Sequence, residues 1–158
     1  IKESGAERVF LTSTTHGAEM CGMGAFVETI KVYRQQNVVE HLWNYGEKLI
    51  NGMNAIACEL GVAENFNVCG IPCSPNYLTK DKNGEVSMGL RTLFSQEMIK
   101  NGVLMPWIAI SLAHGEAELE KTLEATRKSL QVYARAVVDG YEKYLQGEVI
   151  KPVFRKYN

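Results

Sequence analysis

Two one-sided apolar stripes, nearly 60 residues apart in the chain, restrict the fold more than any other feature of this sequence. The first is Leu42, Leu49, Met53, Ile56 and Leu60, spaced at helical intervals behind Asn37. Asn37 suits an N-cap, and Glu40 three positions later can return a bond to its backbone N–H, so a helix is expected from near Val38. Gly61 supplies the left-handed residue that stops it. The second stripe is Leu119, Leu123, Thr126, Leu130, Tyr133 and Val137, on a helix expected from Glu116 to about Gly140. Glu116, Glu118 and Glu120 sit at its start, where the helix dipole favours acids. Both stripes need a shared cover.

The residues between them supply it. Phe66 to Ile71 is short, rich in apolar residues and bounded by Pro72, so it reads as a strand. Asn76 to Lys80 reads as a second strand, with Asp81-Lys82-Asn83-Gly84 as the following loop. Leu90, Leu93, Phe94 and Met98 return to helical spacing, closed by Asn101-Gly102, and Trp107 to Leu112, behind Pro106, reads as a central apolar strand. Ahead of all this, Met20, Met23, Val27 and Ile30 predict a helix over Gly17 to Arg34. The tail from Gly147 to Asn158 is basic and reads as extended. The expected class is α+β, a small antiparallel or mixed sheet covered by helices, with one helix preceding it.

The 158 residues are 46% hydrophobic and 22% charged, with a net charge of −1, which fits a globular domain and gives no basic footprint for nucleic acid or an anionic membrane. The longest uncharged stretch, Asn101 to Gly115, is broken by Pro106 and is too short to span a bilayer. Cys21, Cys58, Cys69 and Cys73 lack zinc-site spacing, so no metal is expected, and buried, reduced thiols of a cytoplasmic protein are the reading. The chain opens on Ile1 and runs at once into an apolar segment, which reads as a piece of something longer.

Candidates for chemistry are few. His41 reads as a helix residue at or near the surface. His114, in "SLAHGEAELE", stands at a strand end, where it could line a site or serve a turn. No nucleophile elbow, nucleotide-type glycine loop or metal-binding histidine pair is present, so no catalytic residue is assigned. "STTHGAEM", residues 13–20, places Ser13, Thr14 and Thr15 ahead of Gly17 at a helix start. Such a stretch can hold a phosphate or simply cap the helix, and local pattern alone favours the cap.

"RVFLTSTTHGAEMCGMGAFVETIKVYRQQNVVEHLWNYGEKLINGM" resembles the segment that follows the Schiff-base lysine in fold-type I, class III pyridoxal-phosphate aminotransferases. Among these it is most similar to the glutamate-1-semialdehyde 2,1-aminomutases. The similarity continues through "LRTLFSQEMIKNGVLMPWIAISLAHGEAELEKTLEA" and "KPVFRKYN" and so covers essentially the whole chain. It implies pyridoxal 5′-phosphate as cofactor, a small-molecule substrate such as glutamate-1-semialdehyde, and a homodimer. In the family a threonine three positions before the helix glycine reaches the cofactor phosphate of the neighbouring subunit; Gly17 matches that glycine, so the resemblance assigns this contact to Thr14. Residues 1–36 would then end the cofactor-binding large domain, and residues 37–158 would form the C-terminal small domain.

The family's catalytic lysine, its pyridine-nitrogen aspartate and its stacking aromatic would all precede Ile1, so this chain alone is expected to be inactive. Two departures bear on the substrate. The asparagine-proline that usually follows the glycine is Ala18-Glu19 here. Many class III aminotransferases also carry an arginine in the penultimate strand to grip a substrate carboxylate, where "WIAISLAHG" has Ala109 and Ser111. The missing arginine agrees with the aminomutase branch. The alternative enzyme is a class III aminotransferase of surface-polysaccharide or amino-acid metabolism, and the alternative of another class is a non-catalytic α+β interaction module.

Overall fold

The computed structural model describes residues 19–151. Two compact units make up the chain, one of residues 1–37 with 152–158 and one of Val38–Lys151. In the first, the described element is α1, Met20–Gln35. It starts three residues later than the periodicity predicts, because Glu19 has the extended backbone of an N-cap (φ −70°, ψ 137°). None of its residues is buried, and Met20, Met23, Val27 and Ile30 are all largely exposed.

The second unit contains α2 (Val38–Glu59), β1 (Phe66–Ile71), β2 (Ser74–Thr79), α3 (Met88–Lys100) and α4 (Glu116–Asp139), followed by a short 3-10 turn at Tyr141–Lys143. The class is α+β, as expected, and the sheet is antiparallel. Both long stripes are at its centre. Leu49, Met53 and Ile56 of α2 and Leu119, Leu130 and Tyr133 of α4 are buried in one core with Phe66, Val68 and Tyr77 of the hairpin and Leu90, Leu93, Phe94 and Met98 of α3. Each fully buried side chain of this size is worth about 1.5–3 kcal/mol against exposure. Phe66 is the hub. Its ring lies 4.7 Å from Phe94, 5.9 Å from Tyr133 and 6.0 Å from Tyr77, centroid to centroid. Burial pushes the Tyr133 phenol far above its ordinary pKa, and its hydroxyl donates to the Asn65 carbonyl at 2.8 Å.

Two helices stop in the same way. At the end of α2, Gly61 has φ +70°, its N–H donates to the Cys58 carbonyl, and the Val62 N–H reaches back to Ala57. At the end of α3, Gly102 has φ +77°, its N–H donates to Ile99, and the Val103 N–H reaches back to Met98. This paired bonding satisfies the last carbonyls and needs a left-handed residue, which glycine supplies at low cost. Ser87 caps the start of α3 by accepting the Leu90 N–H.

The hairpin pairs Phe66 with Thr79, Val68 with Tyr77 and Ile71 with Ser74. Val68 and Tyr77 turn their backbone groups outward, and side chains satisfy them. The Asn54 amide accepts the Val68 N–H and donates to the Val68 carbonyl, both at 2.8 Å. On the other edge the Tyr77 N–H donates to Asn76 Oδ1 at 2.9 Å, and its carbonyl accepts from Arg91 Nη1 at 2.9 Å.

This corrects one expectation. Trp107–Leu112 is not a strand; the chain bends at Pro106-Trp107, and residues 107–111 belong to no ladder among the described residues. Its side chains alternate as a strand's would, with Ile108 buried while Trp107 and Ala109 face solvent. The β2 edge beside it is already spent: Tyr77 on Arg91, and the Thr79 carbonyl on the Ser87 N–H. The thiols differ as well, since Cys21, Cys58 and Cys69 are exposed, Cys73 is half-buried, and all four are free. The described start of the tail is held on α3, with the Gln146 N–H donating to Gln96 and the Ile150 N–H to Thr92.

Candidate functional site

Thr14, the cofactor contact implied by the resemblance, lies outside the described residues, as do Ser13, Thr15, His16 and Gly17. The described chain brings together three residues that the sequence keeps 73 positions apart: His41, Tyr45 and His114. His41 and Tyr45 are four apart on α2 and so share a face, with ring centroids 6.0 Å apart. His114 arrives from the turn before α4, its ring 5.7 Å from that of Tyr45. The Tyr45 and His114 rings form a common wall between two cavities. One, of about 110 Å³, is apolar and aromatic, lined among others by Leu104, Trp107, Ile110 and Thr122. The other, of about 280 Å³, is lined by His41, Asn44, Lys48 and Glu116 beside the same two rings.

The turn fixes the His114 ring. The His114 N–H donates to the Ser111 carbonyl at 3.1 Å, and the Ser111 N–H donates to His114 Nδ1 at 2.9 Å. The acceptor role of Nδ1 places the proton of the neutral ring on Nε2. Ser111 Oγ lies 3.1 Å from the same Nδ1, but that nitrogen's single lone pair already serves the Ser111 N–H, so the pair is a turn and not a nucleophile with its base. Burial, then the Glu118 and Glu116 carboxylates, raise the Tyr45 phenol above its ordinary pKa, so it is a neutral donor at physiological pH. Lys48 is spent on Glu116 across the α2–α4 interface. The site offers two imidazoles, a neutral phenol and an apolar recess. That suffices to bind and orient a small group. It contains no thiol or lysine free to attack one.

Two helix starts of this unit do not suit a phosphate. At α4 the Gly115 N–H is taken by Glu118 Oε2 at 2.8 Å, and that bond holds the Glu118 carboxyl below its usual range. At α3 the Leu90 N–H goes to Ser87. Neither of these two helix starts therefore offers pyridoxal phosphate a cradle. Nor do three His, Cys, Asp or Glu side chains gather as metal ligands among the described residues. No described helix is long and apolar enough to cross a membrane.

This helix-and-hairpin arrangement is found in a solved protein. The FumI protein of Sphingopyxis sp. MTA144, solved in its PLP internal aldimine form, superposes on 74% of this chain with a TM-score of 0.64 and 22% identity, using 28% of its own length. In sequence, the chain is 26% identical over 131 residues to a glutamate-1-semialdehyde 2,1-aminomutase of Clostridium tetani, covering 76% of this chain and 31% of the relative. It is 30% identical over 119 residues to the enzyme of that name from Archaeoglobus fulgidus, covering 65% and 27%. No family model matches. The expected resemblance to class III pyridoxal-phosphate enzymes is thus found, to aminomutases in sequence and to a pyridoxal-phosphate protein in fold. The chain spans less than a third of the length of the curated relatives it matches.

Proposed function

We propose that residues 38–151 act as the small domain of a pyridoxal-phosphate enzyme of the aminomutase kind, which moves an amino group within or between small substrates such as glutamate-1-semialdehyde. The observation that carries this is the match to two aminomutases over most of the chain, on a fold shared with a solved pyridoxal-phosphate enzyme. Bound cofactor supplies the electron sink that makes such amino-group chemistry accessible. The cofactor belongs with the large domain and its lysine, in a cytoplasmic homodimer. Thr14 holds the phosphate across the subunit interface through its hydroxyl and the helix-start N–H groups. The described unit contributes the Tyr45–His114 wall and its apolar recess, which exclude water and orient a small group.

The test is an incubation of the full-length protein with pyridoxal phosphate and glutamate-1-semialdehyde. An isomer with the amino group moved from carbon 2 to carbon 1, formed without an added amino acceptor, is the expected outcome. Turnover only with a keto acid would make the protein an aminotransferase, and no turnover with either would end the reading. In that full-length protein, Thr14→Val keeps the side-chain shape but removes the hydroxyl. Cofactor affinity should fall by about 1–3 kcal/mol, the range for a hydrogen bond to a charged group. Unchanged affinity would leave Thr14 only a capping role.

A further inference from the structure

Residues 103–111 form no ladder, and their corner at Leu104–Trp107 carries the most exposed side chains of the segment. Met105 and Ile108 anchor the segment in the core at 7% exposed each, whereas Leu104 is 80% exposed and Trp107 67%, so the core holds the segment but not these two side chains. Tyr77 Oη lies 3.4 Å from the Met105 carbonyl oxygen, and the closer bonds meet at the Pro106 carbonyl oxygen. It accepts from Tyr77 Oη at 3.1 Å and from Arg91 Nη2 at 3.3 Å. The same guanidinium donates through Nη1 to the Tyr77 carbonyl, on the β2 backbone, at 2.9 Å. Its carbon also lies 4.2 Å from the centre of the Tyr77 ring, a cation–π distance. The two nitrogens of one planar fork thus bridge two backbones that would otherwise pair with each other or separate.

We propose that Arg91 is the positioning residue of the Leu104–Trp107 rim, and through it of the apolar recess beside Tyr45 and His114. Its guanidinium replaces a strand-to-strand ladder. It keeps β2 and the segment one side chain apart and fixes the carbonyl that precedes Trp107. Arginine is suited to this because its donors are rigidly spaced and remain charged at any physiological pH, whereas a lysine ammonium is a single point that cannot hold two carbonyls in plane. No Asp or Glu is paired with Arg91 among the described residues, so its donors are directed to backbone oxygens. The inference stands on the geometry of Val38–Lys151 and is independent of the enzyme reading.

Trp43 and Trp107 are the two tryptophans of the chain, so Trp43→Phe makes Trp107 the sole reporter. In that background, time-resolved fluorescence anisotropy of the 158-residue chain reads the local motion of the rim. Arg91→Met keeps the aliphatic stem and removes the fork. The amplitude of the fast nanosecond component should rise about twofold, with the far-UV circular dichroism unchanged. Arg91→Lys should resemble Arg91→Met. Should the methionine variant not fold, Tyr77→Phe removes one donor to Pro106 while keeping the ring beneath the guanidinium, and it should raise the same amplitude by a smaller factor. Unchanged amplitude in folded Arg91→Met, a lysine variant equal to the parent, or a Tyr77→Phe variant equal to the parent would each overturn the proposal.

Discussion

The β1–β2 hairpin and the segment 103–111 read alike along the sequence and fold differently. Both alternate apolar and solvent-facing side chains, and both adjoin a proline. The hairpin closes because Pro72-Cys73 returns the chain upon itself, so each residue of β1 finds its partner in the next strand of the chain. The sheet edge that could offer the segment a partner is β2, whose outward groups are taken by Arg91, Asn76 and Ser87. Alternation reports which side of a chain is covered. It does not report whether another backbone is free to pair.

Four substitutions sharpen that contrast. The largest effect is expected at the hairpin hub, where Phe66→Ala opens a cavity among Phe94, Tyr77 and Tyr133 and should cost about 3–5 kcal/mol in denaturant titration. A loss below about 1 kcal/mol would mean that the hairpin does not depend on its aromatic cluster. Next is Gly46→Ala. A Cβ at this position of α2 would stand 1.7 Å from the Pro72 carbonyl oxygen in the hairpin turn. The turn has to move, at roughly 3 kcal/mol, and thermal melting should show it. A near-neutral result would show that the turn is not seated on α2.

Third is Asn54→Leu, which preserves bulk but strands the Val68 N–H and carbonyl, and should cost about 2 kcal/mol. Hydrogen exchange at the Val68 amide should speed up more than at its β2 partner Tyr77; equal acceleration would show that the amide does not guard that edge. The smallest effect belongs to the segment. Trp107→Ala should change stability by less than about 0.5 kcal/mol, because the ring is mostly exposed. A loss comparable to that at Phe66 would erase the distinction between the two regions.

The helices were legible because their information is local. The stripes ending in Leu60 and Val137 and the glycines at 61, 102 and 140 are read within a few residues of where they act, and the structure places helix ends at each of these glycines. The start of α1 is less legible, because its N-cap Glu19 makes no side-chain cap bond. The Tyr45–His114 wall was only half legible. His114 stood out as a polar residue after an apolar run, but Tyr45 resembles any helix aromatic, and only the packing of α2 beside the turn before α4 makes the pair. The four-residue spacing from His41 to Tyr45 was the available signal, and it gains meaning only when a third ring comes from elsewhere. Arg91 was invisible for the same reason, since its partners are the carbonyls of residues 77 and 106.

The Asn54 amide has a consequence for how this sheet can grow. A β-sheet behaves as a chain reaction: a turn initiates it, each strand presents the next with an unsatisfied row of donors and acceptors, and growth continues until a row is quenched. Here initiation at Pro72-Cys73 gives one propagation step and then two terminations, at Val68 by Asn54 and at Tyr77 by Asn76 and Arg91. A side-chain amide is an effective terminator because it carries the donor and acceptor of a peptide unit but has no strand behind it to extend. The two strands are thus a finished product at their central pair, and the exposed face bearing Cys69, Ile71 and Leu78 meets solvent without offering a second molecule a matching edge at that level.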